Sequence, residues 1–362
     1  MTAMVDQEAA EVDTEAPVEI PRPLRARTLD DRASVAGSIV GSGSLVWLLF
    51  ERVLPFSGVV GFVVSWYLVF LLMYTLVSRI SNPWPTVRDR LAAAVVTGAA
   101  VTVGLALTST VVFVFVKGWP ALHHLNFFRD DMSGVRPTSP LTQGGVLHAI
   151  VGTAIQVGIA TLFALPLGIG TAVFMTEVGG RLSRTVRTVV EAMTALPDVL
   201  AGLFVYVTLV IGFGFPRTGF AVSVALTVTM LPIIARSAEV VLRVVPGGLR
   251  EAGLALGASQ WDTVRRVVLP TAKAGMATSL ILGIARIAGE TAPLLIVSGA
   301  STFFNANPFS EPMNSLPLFI FSAVRSGEPL YIARGYGAAA LLLLLVLVLF
   351  AITRFLARDR AK

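Results

Sequence analysis

Long runs of apolar residues without Asp, Glu, Lys or Arg dominate this chain of 362 residues. A helix that crosses a bilayer needs about 20 mostly apolar residues, so each such run is a candidate membrane span. The runs predict eight spans, at 33–50, 53–78, 91–116, 146–176, 199–216, 218–235, 273–299 and 335–353. We therefore expect an all-α membrane protein with about eight transmembrane helices.

Composition also indicates a membrane protein. Only 14% of the residues are charged, whereas 55% are hydrophobic and the mean hydropathy is +0.78. A soluble domain carries about 25% charged residues. The net charge of +6 is compatible with nucleic-acid binding, but the basic residues lie beside the spans, so we interpret them as topology signals and expect no nucleic acid partner. The absence of cysteine excludes disulfides and thiolate chemistry.

The basic residues are distributed unevenly between the two ends of the spans. Of the 28 Lys and Arg residues, 20 flank one side, seven flank the other, and Arg286 lies inside a span. Basic residues concentrate on the cytoplasmic side of membrane proteins. The pattern predicts a multi-pass protein of the inner (plasma) membrane, in contact with lipid, with both termini in the cytoplasm.

Changes in composition divide the chain into three parts. Residues 1–32 are acidic and then basic, which predicts a disordered cytoplasmic tail. Residues 33–80 predict an accessory hairpin of two spans, joined by a turn around Pro55. Residues 91–356 contain the other six spans, which we expect to form one transmembrane domain.

Two kinds of polar segment connect those six spans. The longest connections on the outer side are 118–143 and 300–332. The segment 236–272, on the inner side, is too polar to span the membrane. Its helix-forming residues are interrupted at Gly257, and Ser259 is a good N-cap, so we predict two short helices there.

The first motif lies in this inner segment. It reads Glu251-Ala252-Gly253, then Gly257 after three residues, then Val267-x-Leu269-Pro270 after nine more. This pattern resembles the EAA loop of importer permeases of the ABC superfamily, with Gly253 and Val267 in place of alanine and isoleucine. The alternative is an amphipathic helix pair at the membrane surface that has no partner.

The resemblance implies that residues 246–270 form a coupling loop that docks in a cleft of an ATP-binding subunit. Gly257 would form the turn between the two helices, because glycine adopts positive φ without strain. Glu251 could be an acid at a helix N-terminus or could contact a basic residue of the partner. The residues implied in coupling are Glu251, Ala252, Gly253, Gly257, Leu269 and Pro270.

The second motif, Arg286-Ile287-Ala288-Gly289-Glu290-Thr291-Ala292-Pro293-Leu294, lies inside a predicted span. A charge at this depth costs roughly 2.5 to 3.5 kcal/mol on insertion scales, so it is a candidate for function. Arg286 and Glu290 are four residues apart and are expected to share one face of a helix. A structural ion pair within that helix is the alternative.

This stretch resembles the signature of Pst-type phosphate permeases, and more specifically of their A subunits. The resemblance covers about 91–356 and implies a type I ABC importer permease core of six spans. It also implies that Arg286 and Arg236 lie on the path of inorganic phosphate, although Arg236 could equally be a topology anchor. A guanidinium offers a planar fork of donors suited to two phosphate oxygens. We expect Glu290 to accept a hydrogen bond from the phosphate hydroxyl, which sulfate lacks.

Asp198 follows Pro197 at the start of another span. We expect it to stabilise the positive end of that helix, and a gating role is the alternative. The chain has no phosphate-binding loop of the Gly-x4-Gly-Lys-Ser/Thr type, so ATP with Mg²⁺ is expected in a separate subunit and this chain is not expected to be an enzyme or to bind a cofactor. His123, His124 and His148 lack the spacing of a metal site.

The resemblance also implies the partners. They are a homologous permease subunit of the C type, a dimer of ATP-binding subunits, and an extracytoplasmic phosphate-binding protein that meets the outer loops. Three alternatives remain: a permease for another oxyanion such as sulfate or molybdate, an integral-membrane enzyme acting on phosphorylated substrates, and a membrane scaffold without transport activity.

Overall fold

A computed structural model describes residues 29–53 and 58–358, and within these ranges every regular element is a helix. Most of the predicted tail and the turn around Pro55 lie outside the described residues. The helices are α1 (Leu29–Leu48), α2 (Val59–Ser81), α3 (Trp84–Leu122), α4 (Asn126–Arg129), α5 (Leu147–Val173), α6 (Gly180–Ala195), α7 (Asp198–Val205), α8 (Gly219–Val244), α9 (Gly247–Ala255), α10 (Gln260–Thr263), α11 (Leu269–Thr271), α12 (Lys273–Ala288), α13 (Ala292–Val297), α14 (Leu316–Arg325) and α15 (Pro329–Arg358). π-Helical turns occur at Leu49–Val53, Phe174–Val178, Tyr206–Gly212 and Val264–Val268.

Six helices in the described part of the chain are long and apolar enough to cross a membrane, and the number rises to eight if each of two bent helix pairs is one span. The first pair, Gly180–Ala195 with Asp198–Gly212, is bent by 104°. The second pair, Gln260–Thr271 with Lys273–Ala288, is bent by 73°. The six helices and two pairs follow the order of the predicted apolar runs, which confirms the all-α membrane fold.

The connection between the second and third spans contains a helix break at Pro83. Helix α2 ends at Ser81, Asn82 is its C-cap, and α3 begins at Trp84. Pro83 cannot donate a backbone hydrogen bond, so it cannot continue α2. Helix α3 then runs well beyond the apolar run 91–116, because its polar ends also adopt helical geometry.

The chain divides into two compact units, Met1–Ala106 and Leu107–Lys362, with the boundary inside α3. In the first unit α1 packs against α2, and the indole of Trp66 donates hydrogen bonds to Ser42 Oγ at 3.1 Å and to the Ile39 carbonyl at 3.2 Å. The first part of α3 joins this unit through an ion pair between Arg90 and Asp31. The accessory status of the hairpin stays a prediction.

In the second unit, α5 packs along α8 through small residues. A Cβ placed on Gly168 would lie 2.7 Å from Ile234 Cγ2 of α8. Gly152 of α5 meets the segment before α14 instead, where a Cβ would lie 1.9 Å from the Asn314 carbonyl oxygen. A Cβ on Gly158 or Gly170 of the same helix would meet open space among the described residues.

The predicted span 273–299 is not one continuous helix. Helix α12 ends at Ala288 with Gly289 as its C-cap, and α13 begins two residues after Glu290. Pro293 explains the break, since a proline has no N–H and its ring clashes with the carbonyl four residues earlier, which here is that of Gly289. The expectation that Arg286 and Glu290 share a helix face is therefore wrong, because Glu290 lies past the helix end.

Candidate functional site

Arg286 and Glu290 nevertheless contact each other, and a third charged residue joins them. The Arg286 Nη2 donates to Asp198 Oδ2 at 2.6 Å, while its Nη1 contacts Glu290 Oε1. Glu290 is 6% exposed, and its backbone N–H donates to the Ile287 carbonyl at 3.1 Å. Two carboxylates from different segments therefore hold one guanidinium, and we call Asp198, Arg286 and Glu290 the Arg286 cluster.

Asp198 does begin a helix, but its carboxylate has a further contact that the sequence did not indicate. It is the first residue of α7, and the N-cap position is taken by Pro197, whose ring offers no acceptor to the helix N–H groups. The carboxylate lies in the first turn, where the helix dipole favours it, and it reaches across to Arg286 on α12. The helix-start interpretation was thus incomplete.

A cavity of about 160 Å³ borders the Arg286 cluster. Its lining includes Asp198, Arg286, and small or apolar residues of α6, α7 and α8. Helix α7 is also packed tightly on α13, because a Cβ placed on Gly202 would lie 2.6 Å from the Cα of Pro293. The Arg286 side chain is 51% exposed, although each of its terminal nitrogens contacts a carboxylate.

Arg236 binds a different set of carboxylates from those of the Arg286 cluster. It is on α8, where its Nη1 binds Glu239 Oε2 at 2.9 Å and Glu191 Oε1 at 3.2 Å. Glu239 is only 2% exposed, and it also binds Arg187 Nη2 at 2.8 Å and Arg243 Nη2 at 2.7 Å. The buried carboxylate of Glu239 therefore joins α6 to α8, and sequence reasoning missed it because an acid on an otherwise apolar helix shows no partner in the sequence.

Replacing Glu239 with Gln should lower the stability of the second unit by about 1 to 3 kcal/mol, because three arginines lose their shared buried counter-charge. Thermal unfolding of the purified protein measures this change. Glu191→Gln is the matched control, since Glu191 is 50% exposed and pairs with one of the same arginines. Exposed ion pairs contribute about 0 to 1 kcal/mol, so an equal loss in both variants would contradict the prediction.

The coupling segment forms the two short helices that the sequence predicts. Helix α9 is followed by Gly257, whose φ is +82°, and Ser259 Oγ then caps α10 by accepting from the Asp262 N–H at 3.1 Å. Gly253 is buried, and a Cβ there would lie 3.0 Å from Thr263 Oγ1. The small residue and the positive φ therefore allow α9 to pack closely on the next helix.

The remaining coupling residues are arranged around this turn. Glu251 is exposed in the middle of α9, which removes the interpretation of it as an acid at the helix N-terminus. Ala252 is exposed beside it. Leu269 and Pro270 begin the short helix α11, directly before α12. The loop thus offers exposed side chains on α9 and leads directly into the helix that carries Arg286.

Arg250 connects α9 to the spans. Its Nε and Nη2 bind the Glu177 carboxylate at 3.0 to 3.2 Å. Its Nη1 and Nη2 also donate to the carbonyls of Val245 at 2.7 Å and Leu242 at 2.8 Å, at the C-terminal end of α8. One side chain thereby links α9, the end of α8 and the π-helical end of the α5 span. We call this arrangement the Arg250 clasp.

Comparison with known proteins places these features in a family. The family described as binding-protein-dependent transport system inner membrane components matches residues 164–362, more than half of the chain. The chain belongs to this family. The matched region contains the Arg286 cluster, the coupling segment and the Arg250 clasp.

Individual relatives of this permease carry more specific names. It is 39% identical over 253 residues to the phosphate transport system permease protein PstA 1 of Mycobacterium tuberculosis, covering 69% of this chain and 82% of that protein. It is 33% identical over 258 residues to PstA of Haemophilus influenzae, covering 70% and 89%. A chain of a bacterial ABC transporter that imports the acidic polysaccharide alginate has the same fold, with a TM-score of 0.55, 15% identity, and coverage of 76% of this chain and 97% of that one.

At the other end of the permease, the two long connections are joined by Asp131. Its Oδ2 accepts from the Phe304 N–H at 2.8 Å, its Oδ1 accepts from the Ser133 N–H at 2.9 Å, and the Met132 N–H donates to the Thr302 carbonyl at 2.9 Å. Burial raises the pKa of Asp131, but these hydrogen bonds outweigh it and hold the pKa below its usual value. The carboxylate therefore stays charged at neutral pH and keeps the two connections together.

Arg334 has a role that its position in the sequence did not indicate. It was assigned to the flank of a span as a topology signal, yet the residue is 0% exposed. Its Nη2 donates to the carbonyls of Ser139, Pro140 and Gln143, at 3.1, 2.8 and 2.8 Å. Arg334 thus fixes the connection 118–143 on α15, and a sequence pattern offers no sign of bonds to backbone carbonyls so far away along the chain.

Proposed function

We propose that this chain is the A-type permease subunit of an ATP-driven importer of inorganic phosphate, and that it forms the translocation path together with a second, C-type permease subunit. The observation that carries the proposal is the half-exposed guanidinium of Arg286 beside a cavity among the spans. The substrate comes from the relatives named as phosphate transport permeases at 31 to 39% identity.

The chemistry of the Arg286 cluster supports an oxyanion that carries a proton. The guanidinium offers two parallel donors to phosphate oxygens, and Glu290 beside it can accept the hydrogen bond of a phosphate hydroxyl. Sulfate is fully deprotonated near neutral pH and would meet Glu290 without a shared proton. Arg236 is 41% exposed despite its two carboxylate partners, so we propose it as a secondary cation along the same path.

The partners would bind this subunit on both sides of the membrane. The exposed face of α9 would dock on a dimer of ATP-binding subunits, which hold ATP with Mg²⁺ and hydrolyse it. Both termini would lie in the cytoplasm of a cell whose plasma membrane holds the complex. An extracytoplasmic phosphate-binding protein would meet the connections 118–143 and 300–332, whose backbones are held in place by Asp131 and Arg334.

Purification from the native membrane in mild detergent tests this proposal. We expect an ATPase and a second permease to copurify, and the complex in liposomes to take up radiolabelled phosphate only with ATP and the phosphate-binding protein. A large excess of sulfate should leave uptake unchanged. Equal competition by sulfate would favour a general oxyanion permease, and enzymatic activity of this chain alone on phosphorylated substrates would contradict transport.

A further inference from the structure

The Arg286 cluster contains more negative than positive charge. One guanidinium is surrounded by two carboxylates, and each of its terminal nitrogens is already in contact with one of them. An incoming phosphate needs at least one of those nitrogens, and it is repelled by a carboxylate that does not accept the hydrogen bond of its hydroxyl. In the described arrangement both carboxylates therefore compete with an incoming anion for the guanidinium, although the Arg286 side chain is half exposed.

The two carboxylates are not held equally. Glu290 is 6% exposed and is fixed by the tight end of α12, where its own N–H bonds to the Ile287 carbonyl. The Asp198 side chain is 29% exposed and stands at the first residue of α7, next to Pro197. This is the joint at which the helix pair bends by 104°. Gly202 holds the middle of α7 against α13, so a change in that bend would act on the first turn of α7, which carries Asp198. Glu290 belongs instead to the same segment as Arg286.

We propose that Asp198 is a displaceable counter-ion that occupies the anion position on Arg286 while no phosphate is present. Movement of the α6–α7 joint would withdraw it and open the guanidinium to substrate. Asp198 would thereby prevent anions from passing freely through the permease between transport cycles. This inference rests on the proposed function, because it needs Arg286 to lie on the phosphate path.

The test uses the whole complex in liposomes preloaded with radiolabelled phosphate and measures efflux without ATP. Asp198→Asn should raise this leak about tenfold, because one close counter-charge is lost. Asp198→Glu should keep the leak low, and Asp198→Asn combined with Arg286→Gln should abolish it. Asp89→Asn, at an exposed position of α3, is the matched control and should leak like the unmodified complex.

A leak at the unmodified level in an assembled Asp198→Asn complex would overturn the inference. If that variant does not assemble, Asp198→Ser keeps a good helix-start residue without the charge and is measured in its place. Failure of the proposed function has a different signature, since Arg286→Gln alone would then leave ATP-driven phosphate uptake intact. A merely structural role of Asp198 would reduce the yield of complex without changing efflux per complex.

Discussion

Arg286→Gln is expected to reduce ATP-driven phosphate uptake at least about 30-fold, because truncating one member of a close charge pair costs about 2 to 5 kcal/mol. The substitution removes the guanidinium that offers donors to phosphate and leaves Asp198 and Glu290 without their shared cation. Both changes make the cavity less favourable for an anion. Uptake of radiolabelled phosphate by the reconstituted complex measures the effect.

Two control variants separate loss of substrate binding from loss of assembly. Arg184→Gln removes the same charge from an exposed position on α6 and should transport normally. Arg286→Lys keeps the charge but not the planar fork, so it should restore part of the uptake. Normal uptake by an assembled Arg286→Gln complex would contradict the assignment of this residue to the phosphate path.

Arg250→Glu is expected to uncouple ATP hydrolysis from transport. The reversal places two carboxylates at the Arg250 clasp and removes the hydrogen bonds to the carbonyls of Leu242 and Val245. Helix α9 could still dock on an ATPase through its exposed face, but it would no longer move α8 and the end of the α5 span with it. We expect the phosphate transported per ATP hydrolysed to fall at least about tenfold, which corresponds to a loss of about 1.4 kcal/mol of coupling.

The charge exchange at the clasp provides a sharp control. Glu177→Arg combined with Arg250→Glu rebuilds the ion pair with reversed polarity, so it should recover much of the coupling, although the carbonyl hydrogen bonds stay lost. Arg184→Glu applies the same reversal to an exposed arginine outside the clasp and should leave coupling unchanged. Equal coupling in Arg250→Glu and the unmodified complex would show that α9 transmits its motion by another route.

Much of this fold could be predicted from the amino-acid pattern. Apolar length alone located the spans, because a bilayer imposes a fixed thickness on every helix. The turn at Gly257 and the cap at Ser259 were also predicted, because both depend on local backbone chemistry. Motif resemblance pointed to Arg286 and Glu290, which do lie in contact.

The ends of helices inside the spans were harder to predict from the sequence. The break after Ala288 depends on Pro293, and a proline inside an apolar run is compatible with either a kink or a termination. Hydropathy does not distinguish these outcomes, since both leave the run equally apolar. The amphipathic helix α6 was missed for a related reason, because it is too polar to count as a span.

The sequence by itself determined which segments enter the membrane and where the chain turns. It also showed which charges lie inside a span, where their cost makes them candidates for function. The tertiary structure decided which residues neutralise those charges. Asp198 lies 88 residues from Arg286, and Glu177 lies 73 residues from Arg250. Such pairings depend on how the helices pack, and local spacing carries no information about contacts between segments so far apart.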